Sequence, residues 1–395
     1  MSRRARLVFA VTRAETARYL LLGQLAFLRR HGFEVVVVAG PGPDLEYVAG
    51  RDGVETLAVP MAREGRLMSD LVALVRLRRA FRRLRPAVVN ASTPKAGLLG
   101  MIAAALAGVP ARIYTLRGLR LETARGARRR LMVLAERIAC ACAHRVLCVS
   151  PSLAERCRAL RLAPARKIRV LGPGASNGVD VARYRPRAAP DEEAQLAHRI
   201  GLPRGVPVVG FVGRMSRDKG IGELAAAFFD LVLPACSAAR LLVVGPVDLN
   251  DPAPEGARAR LLAHPQVVFA GFVTDAAPYY RLMDVVAFPS LREGFPNAPL
   301  EAAASGLPVV GFTATGTVDA VADGVTGTLV PSGDWRALGA ALAGYLADPE
   351  RAREHGRRGR ERVEQLFRSE RVWQTWLEEY RDLLGERAPA PVTPP

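Results

Sequence analysis

Short runs of β-branched and other apolar residues recur along the first half of the chain, each followed by a segment of helix length. These runs occupy residues 6–12, 34–41, 87–91, 111–117, 145–151 and 167–173. Segments 18–31, 67–84 and 128–143 have the length and apolar spacing of helices. Strands that are apolar along their whole length and joined by helices are typical of a parallel sheet covered on both faces. The pattern therefore predicts a doubly wound α/β domain.

The same pattern starts again after residue 193. Apolar runs there occupy residues 206–214, 240–246, 266–273, 284–291 and 307–313. Ligands of such sheets bind beyond the carboxyl ends of the strands, so chemistry is expected in the loops that follow these runs. The expected organisation is a first domain over residues 1–184, a second over 185–368, a terminal helix over 369–388 and a proline-rich tail over 389–395.

The composition also supports two packed domains. The chain has 395 residues, of which 50% are apolar and 24% charged, and this excludes disordered, collagen-like and coiled-coil classes. Its five cysteines form no C-x-x-C pair and are expected to be reduced residues of a cytoplasmic protein. The apolar run near the N-terminus is too short for a secretory signal, and no apolar stretch reaches the roughly 18 residues that span a membrane.

The charge is strongly uneven between the two halves. The whole chain carries a net charge of +18. Residues 1–185 contain 34 basic and 12 acidic residues, a net charge of +22, whereas residues 186–395 carry a net charge of −4. A general bias toward arginine would raise the net charge of both halves. The first half is therefore expected to meet an anionic partner that the second half does not.

Two glutamates in the second half flank a loop and the beginning of a predicted helix. Glu293 follows the strand at 285–289, and Glu301 is expected in the first turn of a helix over 299–305 that begins with a proline. Such a loop directs backbone N–H groups toward an anion, while carboxylates beside a phosphate accept hydrogen bonds from hydroxyl groups. A nucleotide sugar presents this combination. The alternative is that Glu293 caps the turn and Glu301 complements the helix dipole.

A second motif follows the first strand of the second half. Gly213 ends this strand, and Arg214 and Lys219 follow on a loop that contains glycine. The planar guanidinium and the compact ammonium charge both suit a diphosphate. A basic loop alone is usually just solvated, so this motif gains its weight from the glutamate pair in the same domain.

Together these motifs resemble those of the retaining family 4 glycosyltransferases, and the resemblance covers nearly the whole chain. It implies the GT-B fold, with two Rossmann-like domains that face each other across a cleft. It also implies that the terminal helix over 369–388 crosses back to the first domain. It also implies three catalytic residues: Arg214 and Lys219 at the leaving diphosphate, and Glu293 at the transferred sugar. Glu301 would contact the ribose. The other donor-binding residues implied by the family motifs are Gly213, Gly245, Pro246, Val273 beside uracil, Gly294, Phe295, Pro296 and Asn297.

The first half resembles the branch of this family that extends lipid-linked precursors of capsule, exopolysaccharide or O-antigen. Segments 92–100, 112–123, 148–153 and 171–180 carry this resemblance. It implies a UDP-sugar as donor and an undecaprenyl-diphosphate-linked saccharide as acceptor, at the inner face of the cell membrane. The expected acceptor-binding residues are Thr12, Arg13, Ser92, Lys95 and Arg117.

Two positions depart from the family pattern. Many relatives have a Gly-Gly loop after the first strand, whereas residues 11–16 of this chain contain no glycine. Thr12 or Arg13 could contact the donor phosphate there through a side chain. Many relatives also place a histidine near the reacting centre, where this chain has Arg117. Arginine is permanently charged and cannot act as a base, but it can hold a diphosphate.

No Asp-x-Asp motif or other metal signature occurs, so the reaction is expected to need no metal and no cofactor besides the UDP-sugar co-substrate. Arg214, Lys219 and the helix N-terminus after Asn297 would then stabilise the leaving UDP electrostatically. The resemblance implies front-face attack that retains the anomeric configuration, with the donor phosphate taking the acceptor proton. The transferred sugar, a hexose or an N-acetylhexosamine, stays open.

Basic helices in the first half suggest how a lipid acceptor is reached. Residues 75–87 interleave six arginines with apolar residues, and residues 117–130 add six more. Amphipathic basic helices of this kind bind anionic leaflets. We therefore expect a cytoplasmic protein that is peripheral on the inner face of the membrane. The alternative is that these arginines form ordinary solvated helix faces.

Other function classes fit less well. A nucleic-acid-binding protein would explain the charge, but no binding module is visible and no nucleic acid is expected as a partner. A dinucleotide oxidoreductase would need a G-x-G-x-x-G loop, which opens neither domain. A UDP-sugar 2-epimerase would need acid and base residues that cannot be placed. The closest alternative is a family 4 transferase with a soluble acceptor; one from another class is a basic nucleic-acid- or membrane-binding protein without catalysis.

Overall fold

The computed structural model describes residues 4–61, 67–189, 192–249 and 251–385. The chain divides into two compact units. The first unit comprises Met1–Asn177 and Ser369–Pro395, and the second comprises Gly178–Arg368. Each unit contains its own parallel sheet, and this confirms two parallel-sheet α/β domains.

The first unit has a seven-stranded sheet with the strand order β3-β2-β1-β4-β5-β6-β7. All its pairs are parallel. Val8 of the interior strand β1 lies opposite Val36 on one side and Val89 on the other. These valines are fully buried, as expected for strands covered on both faces. The strands are β1 (Arg6–Ala10), β2 (Glu34–Ala39), β3 (Glu55–Ala58), β4 (Val88–Ser92), β5 (Ala111–Leu116), β6 (Arg145–Cys148) and β7 (Ile168–Arg169).

The helices of the first unit cover this sheet. They are α1 (Ala14–Leu20), α2 (Gln24–Arg30), α3 (Pro43–Asp52), α4 (Leu67–Leu84), α5 (Pro94–Leu106), α6 (Gly126–Cys142) and α7 (Pro151–Ala159). The single helix predicted over 18–31 is wrong, because the chain breaks between α1 and α2 at Gly23. This glycine has φ = 76°, and a Cβ atom there would lie 2.4 Å from the ring of Trp373. The ring therefore leaves room only for glycine at this position between the two helices.

The second unit has a six-stranded parallel sheet with the order β10-β9-β8-β11-β12-β13. Its strands are β8 (Val208–Val212), β9 (Arg240–Val244), β10 (Val267–Gly271), β11 (Val285–Phe288), β12 (Val309–Phe312) and β13 (Gly327–Val330). Its core consists of two buried apolar clusters. One contains Phe228 and Leu338, and the other contains Leu242 and Val286. The chain leaves β8 toward β9 on one side and β11 lies on the other, so ligands are expected at the carboxyl ends of β8 and β11.

The helices of the second unit join these strands and close the unit. They are α8 (Ala194–Arg199), α9 (Ile221–Ala227), α10 (Leu233–Ala235), α11 (Glu255–Ala263), α12 (Ala277–Tyr280), α13 (Asn297–Ala304), α14 (Thr317–Ala320), α15 (Trp335–Ala347) and α16 (Pro349–Leu366). A π-helical turn, Phe228–Val232, connects α9 to α10.

The last helix, α17 (Ser369–Leu383), belongs to the first unit. The Asn90 amide donates to the Tyr380 hydroxyl over 2.7 Å, and the Trp373 indole N–H donates to the Asn177 side chain over 2.7 Å. Arg145 holds the carboxylates of Glu379 and Asp382 at 2.5 and 2.6 Å. The helical spacing of aromatic residues in this segment therefore reflects packing on the first sheet. The end of the predicted helix at 386–388 and the predicted tail at 389–395 lie outside the described residues.

The division between the units falls after Asn177 and not after residue 184. The backbone N–H of Val179 donates to the carbonyl of Phe367 over 2.8 Å, which ties this segment to the end of α16. The ring of Tyr184 packs on Tyr280 with 5.8 Å between centroids. Residues 178–184 therefore contribute side chains to the second unit, and this matters for the site described below.

Candidate active site

The loops that follow β8, β9 and β10 meet at one edge of the second sheet, because parallel strands present their carboxyl ends together. The Gly213 N–H donates to the carbonyl of Val244 over 2.9 Å, and the Gly245 N–H donates to that of Gly271 over 2.8 Å. A Cβ atom at Gly245 would lie 1.9 Å from the carbonyl oxygen of Gly213. Glycine is therefore required for this approach, which brings the predicted residues Gly213, Gly245 and Pro246 together.

The basic loop after β8 packs against the loop after β11. Gly220 adopts a left-handed conformation with φ = 68°, and a Cβ atom there would lie 2.0 Å from the carbonyl oxygen of Pro289. This contact places the Lys219 ammonium in an ion pair with the Glu293 carboxylate. The Ser290 hydroxyl donates to the same carboxylate over 2.6 Å. The cation expected at the diphosphate and the carboxylate expected at the sugar are thus direct neighbours.

Arg214, the second predicted cation, is also held by carboxylates. It forms an ion pair with the buried Asp248 and lies 4.0 Å from Asp218. Arg292 contacts Asp218 as well, at 3.0 Å. Sequence reasoning missed Asp218, Asp248 and Arg292, although all three lie on or beside the predicted strand-end loops and that position was the available signal.

The pKa of Asp218 shows how strongly the nearby cations stabilise the charged form of this carboxylate. Burial raises its pKa, but the hydrogen bond from the Ser216 hydroxyl and the charges of Lys219, Arg292 and Arg214 outweigh burial and lower the pKa below its usual value. Asp218 is therefore ionised at neutral pH. The cluster thus contains three cations, Lys219, Arg214 and Arg292, and three carboxylates, Asp218, Asp248 and Glu293. An anionic ligand that binds here would compete with these carboxylates for the cations.

Glu301 lies one turn further into α13 than expected. The helix begins at Asn297 and not at Pro299, so the prediction that Glu301 is in the first turn is wrong. Pro299 is compatible with this earlier start because the first-turn N–H groups have no partner within the helix. A carboxylate in the second turn lies beyond the strongest part of the helix dipole. Instead, the Tyr280 hydroxyl donates to Glu301 Oε2 over 3.0 Å.

The residues between the two glutamates are buried or half-buried. Phe295 is buried and packs against Phe367 with 5.4 Å between ring centroids. Gly294 lies against Gly316 of the loop after β12, where a Cβ atom would be 2.3 Å from the Gly294 carbonyl oxygen. The buried Oδ1 atom of Asn297 has no hydrogen-bond partner among the described residues. Pro296 precedes α13 in extended conformation.

Val273, the residue predicted beside the base, follows β10 and is half-buried. It packs against the cluster that contains Tyr280 and Val286. Its neighbour Phe272 is 59% exposed. The loop thus combines a side chain fixed to the core with an exposed aromatic ring at the same edge of the sheet.

The predicted acceptor residues lie in the first unit. Thr12, Ser92 and Arg117 stand at or after the carboxyl ends of β1, β4 and β5, which are neighbours in the sheet. Arg13 instead pairs with Glu15 at the surface, and Lys95 pairs with Asp70 at 2.6 Å. Thr12, Ser92 and Arg117 therefore lie at the same edge of the first sheet, whereas Arg13 and Lys95 are engaged in ion pairs.

Thr12 and Arg117 differ in how firmly they are held. The Thr12 hydroxyl lies 2.7 Å from that of Thr93 and accepts from the Ala96 N–H over 3.1 Å. Arg117 contacts the Ser176 carbonyl only at 3.5 Å, and its buried Nε has no partner within the described part of the chain. Burial lowers the pKa of Arg117 to about 10, so it remains charged at neutral pH.

In the described ranges, no group of three or more His, Cys, Asp or Glu side chains is arranged to hold a metal ion. Among the helices described, none combines the length and the apolarity needed to cross a membrane.

Comparison with known proteins decides the family. Residues 17–174 match the family described as "Glycosyl transferase 4-like domain", and residues 206–348 match "Glycosyl transferases group 1". The chain is also 36% identical over 367 residues to the capsular polysaccharide biosynthesis glycosyltransferase CapM of Staphylococcus aureus, with 93% of this chain and 94% of CapM covered. The chain belongs to the group 1, 4-like glycosyltransferases.

Two further similarities accompany this assignment. The chain is 28% identical over 296 residues to the UDP-Gal:alpha-D-GlcNAc-diphosphoundecaprenol alpha-1,3-galactosyltransferase of Escherichia coli. The aligned residues cover 73% of this chain and 74% of that protein. The chain superposes on Anabaena Alr3699/HepE, solved in complex with UDP and glucose, with a TM-score of 0.78 at 20% identity, covering 95% of this chain and 98% of that one. The structural neighbours confirm the GT-B fold predicted from the sequence.

Proposed function

We propose that the enzyme is a retaining glycosyltransferase that moves a sugar from a UDP-sugar to an undecaprenyl-diphosphate-linked saccharide during synthesis of a bacterial surface polysaccharide. One observation carries the donor half of this proposal: Lys219, on the loop after β8, pairs with Glu293, on the loop after β11. Arg214 lies on the first of these loops, and Glu301 lies on the helix that follows the second. The capsular relative, the relative named for a diphosphoundecaprenol acceptor and the neighbour solved with UDP and glucose support the same substrates.

In this proposal the donor diphosphate exchanges places with carboxylates. Its oxygens take Lys219 from Glu293 and Arg214 from Asp248, which are their partners in the structure. Glu293 is then free to accept hydrogen bonds from hydroxyl groups of the transferred sugar. The bonds that break and the bonds that form are both charge-assisted, and the diphosphate brings two negative charges to the two cations.

The chemical step follows from the same groups. The bond between the anomeric carbon and the UDP oxygen breaks, and the electron pair leaves on the β-phosphate, where Arg214 and Lys219 stabilise the developing charge. The acceptor hydroxyl bonds to the anomeric carbon on the same face and passes its proton to a donor phosphate oxygen. This route retains the configuration and asks for no metal or separate base, in keeping with the expectation that the UDP-sugar is the sole co-substrate.

The first unit would bind the acceptor diphosphate. Arg117 has an unpartnered buried Nε and a weakly held guanidinium, whereas Thr12 is locked by two hydrogen bonds. Arg117 is thus the residue best prepared to accept an anionic ligand, with Ser92 beside it at the end of a neighbouring strand. Lys95 and Arg13 would first have to leave Asp70 and Glu15.

Two helices of the first unit would dock on the inner membrane surface. On α4 the exposed stripe begins with Leu71 and Val75 and continues with Arg79 and Arg82. On α6, Leu131 is 67% exposed and follows three consecutive arginines. Both helices pack on α5. Apolar residues that can enter the headgroup region beside cations that meet anionic lipids are what an interfacial helix requires.

The test is a transfer assay with a panel of labelled UDP-sugars and membranes that bear undecaprenyl-diphosphate-sugar. We expect label from one UDP-sugar to enter the organic-solvent phase, and K219A protein to transfer little. Label that moves instead into a water-soluble product would favour the family 4 transferase with a soluble acceptor. Absence of transfer from every UDP-sugar, with transfer from another nucleotide sugar, would contradict the proposed donor.

A further inference from the structure

Two tyrosine hydroxyls meet the carboxylate of Glu301 from different elements of the second unit. Tyr280, at the end of α12, is fully buried, and its hydroxyl lies 3.0 Å from Glu301 Oε2 and 3.3 Å from the Ala298 carbonyl. Tyr184 comes from the segment that follows Asn177. Its ring packs edge-on against Tyr280 at 5.8 Å, and its hydroxyl also reaches the Glu301 carboxylate.

The charged groups around Glu301 are few. Arg183 and Asp275 lie nearby but pair with each other at 2.9 Å. Burial raises the pKa of Glu301, and the hydrogen bond from Tyr280, the charge of Arg183 and the hydrogen bond from Tyr184 oppose this rise. Burial also raises the pKa of both phenols. The phenols therefore stay protonated and can act only as donors to the carboxylate near neutral pH.

We propose that Tyr184 and Tyr280 are positioning residues that orient the Glu301 carboxylate to accept the vicinal hydroxyl groups of the donor ribose. An ionised carboxylate offers about four lone-pair directions. Two phenols occupy two of these directions and leave the others for the two ribose hydroxyls. This inference rests on the proposed function and adds to it a role for the segment 178–184, which enters the second unit.

Ring packing alone is a different explanation for Tyr184, and the phenylalanine variant separates the two. Y184F keeps the ring on Tyr280 and removes only the hydroxyl. Tyr279 provides a matched control, because it lies in the same helix as Tyr280 and its hydroxyl makes no hydrogen bond in the described part of the chain. A packing role predicts that Y184F and Y279F behave alike.

The experiment is calorimetric titration of the full-length protein with UDP and with 2′,3′-dideoxy-UDP, between pH 5.5 and 8. We expect Y184F and Y280F to weaken UDP binding about 5- to 10-fold, the loss of one hydrogen bond to a charged group. Y279F should bind like the wild type. Neither phenylalanine variant should affect dideoxy-UDP, and Y184F should have no further effect in an E301Q background. As pH falls, UDP affinity should decline at a higher pH in Y184F than in the wild type.

The contrary results are distinct. If Y184F weakens both nucleotides equally, or still weakens UDP binding in the E301Q protein, then the tyrosine does not act through Glu301 and the inference is overturned. The same holds if Y184F binds UDP as tightly as the wild type. If the wild-type protein binds no UDP, the proposed donor is wrong and the inference is overturned with it. Unchanged thermal unfolding of the phenylalanine variants shows that they are folded.

Discussion

The arginines of the donor site and of α16 in the second unit differ from those of α4 in the first unit in how they are paired. In the second unit, Arg214 and Arg292 each face a carboxylate, and the exposed Arg357 on α16 pairs with Glu354 and Glu361. In the first unit, exposed arginines on α4 such as Arg79 and Arg82 have no ion-pair partner among the described residues. The contrast in pairing accompanies the contrast in net charge, which is −4 for residues 186–395 and +22 for residues 1–185.

This difference suggests two ways of binding an anion. A compensated site binds by exchange, because the ligand must replace carboxylates that already hold the cations, and it therefore selects a ligand of matching geometry. An uncompensated surface attracts any anionic layer, with an energy that adds up over the charges and falls with salt. The first suits a nucleotide diphosphate and the second a lipid leaflet.

The largest expected effect tests the compensated site. Replacing Lys219 by alanine removes the cation that we place at the leaving diphosphate, and kcat should fall about 100- to 1,000-fold, as for loss of a transition-state charge partner. Arg217 lies on the same loop, is exposed, and its side chain has no ion pair in the described chain. R217A should therefore change kcat little. Turnover of K219A within a few-fold of the wild type would refute the role of this residue.

The next effect tests the uncompensated surface. Each charge near an anionic leaflet contributes on the order of 1 kcal/mol, so R79Q/R82Q/R83Q should weaken sedimentation with anionic vesicles about 100-fold. The matched control is R353Q/R357Q/R358Q on α16, which removes the same charge from the second unit and should have a much smaller effect. Wild-type binding should disappear at high salt. Equal losses in the two triple variants would show that only net charge matters.

A buried acid in the first unit sharpens the contrast with Asp218. Glu136 is 8% exposed and is paired with the Tyr114 hydroxyl at 2.7 Å instead of with a cation. Burial raises the pKa of Glu136 to about 7. The folded state therefore holds this proton more tightly than the unfolded state, and stability falls as the pH rises from about 4.5 through 7.

E136Q removes that ionisation while its amide oxygen can still accept from Tyr114. The variant should unfold at a higher temperature than the wild type at pH 8, by a stabilisation of up to about 3 kcal/mol, and at the same temperature near pH 4.5. Thermal unfolding followed by circular dichroism at both pH values measures this. A difference in unfolding temperature between E136Q and the wild type that is the same at both pH values would contradict the raised pKa of Glu136.

The smallest effect concerns Asp248. D248N removes the carboxylate that competes with the diphosphate for Arg214, so the KM for the donor should fall, by up to about 10-fold, with a smaller change in kcat. The control is D230N, because Asp230 pairs with Arg260 at an exposed position. Steady-state kinetics at varied donor concentration measures KM and kcat for both variants. A donor KM for D248N that equals or exceeds that of D230N would show that Asp248 does not compete with the diphosphate for Arg214.

The sequence predicted the parts of the fold that depend on continuous apolar runs. Strands such as β2 and β9 are buried on both faces, and their composition reveals them. The edge strands β3 and β13 were missed because Glu55, Thr56 and Thr328 interrupt the apolar pattern at the sheet margins. The break at Gly23 was missed because the ring of Trp373, which leaves room only for glycine there, is more than 300 residues away in the sequence.

The candidate site divides in the same way. The loop motifs around Lys219 and Glu293 could be placed because each lies beside a predicted strand. The partners that set their charge state could not. Asp248 meets Arg214 only when two strands lie side by side, and Tyr184 reaches Glu301 only because the segment after Asn177 packs on the second unit. Tertiary contacts of this kind leave no local pattern.

The most direct test of the account is hydrogen–deuterium exchange of the full-length protein, measured with UDP and, separately, with anionic vesicles. We predict that UDP protects the loops around residues 213–220, 245–249, 271–275 and 293–301 in the second unit, and that vesicles protect α4 and α6 in the first. UDP protection centred on the first unit, or vesicle protection centred on the second, would contradict the division between a donor site and a lipid-facing surface.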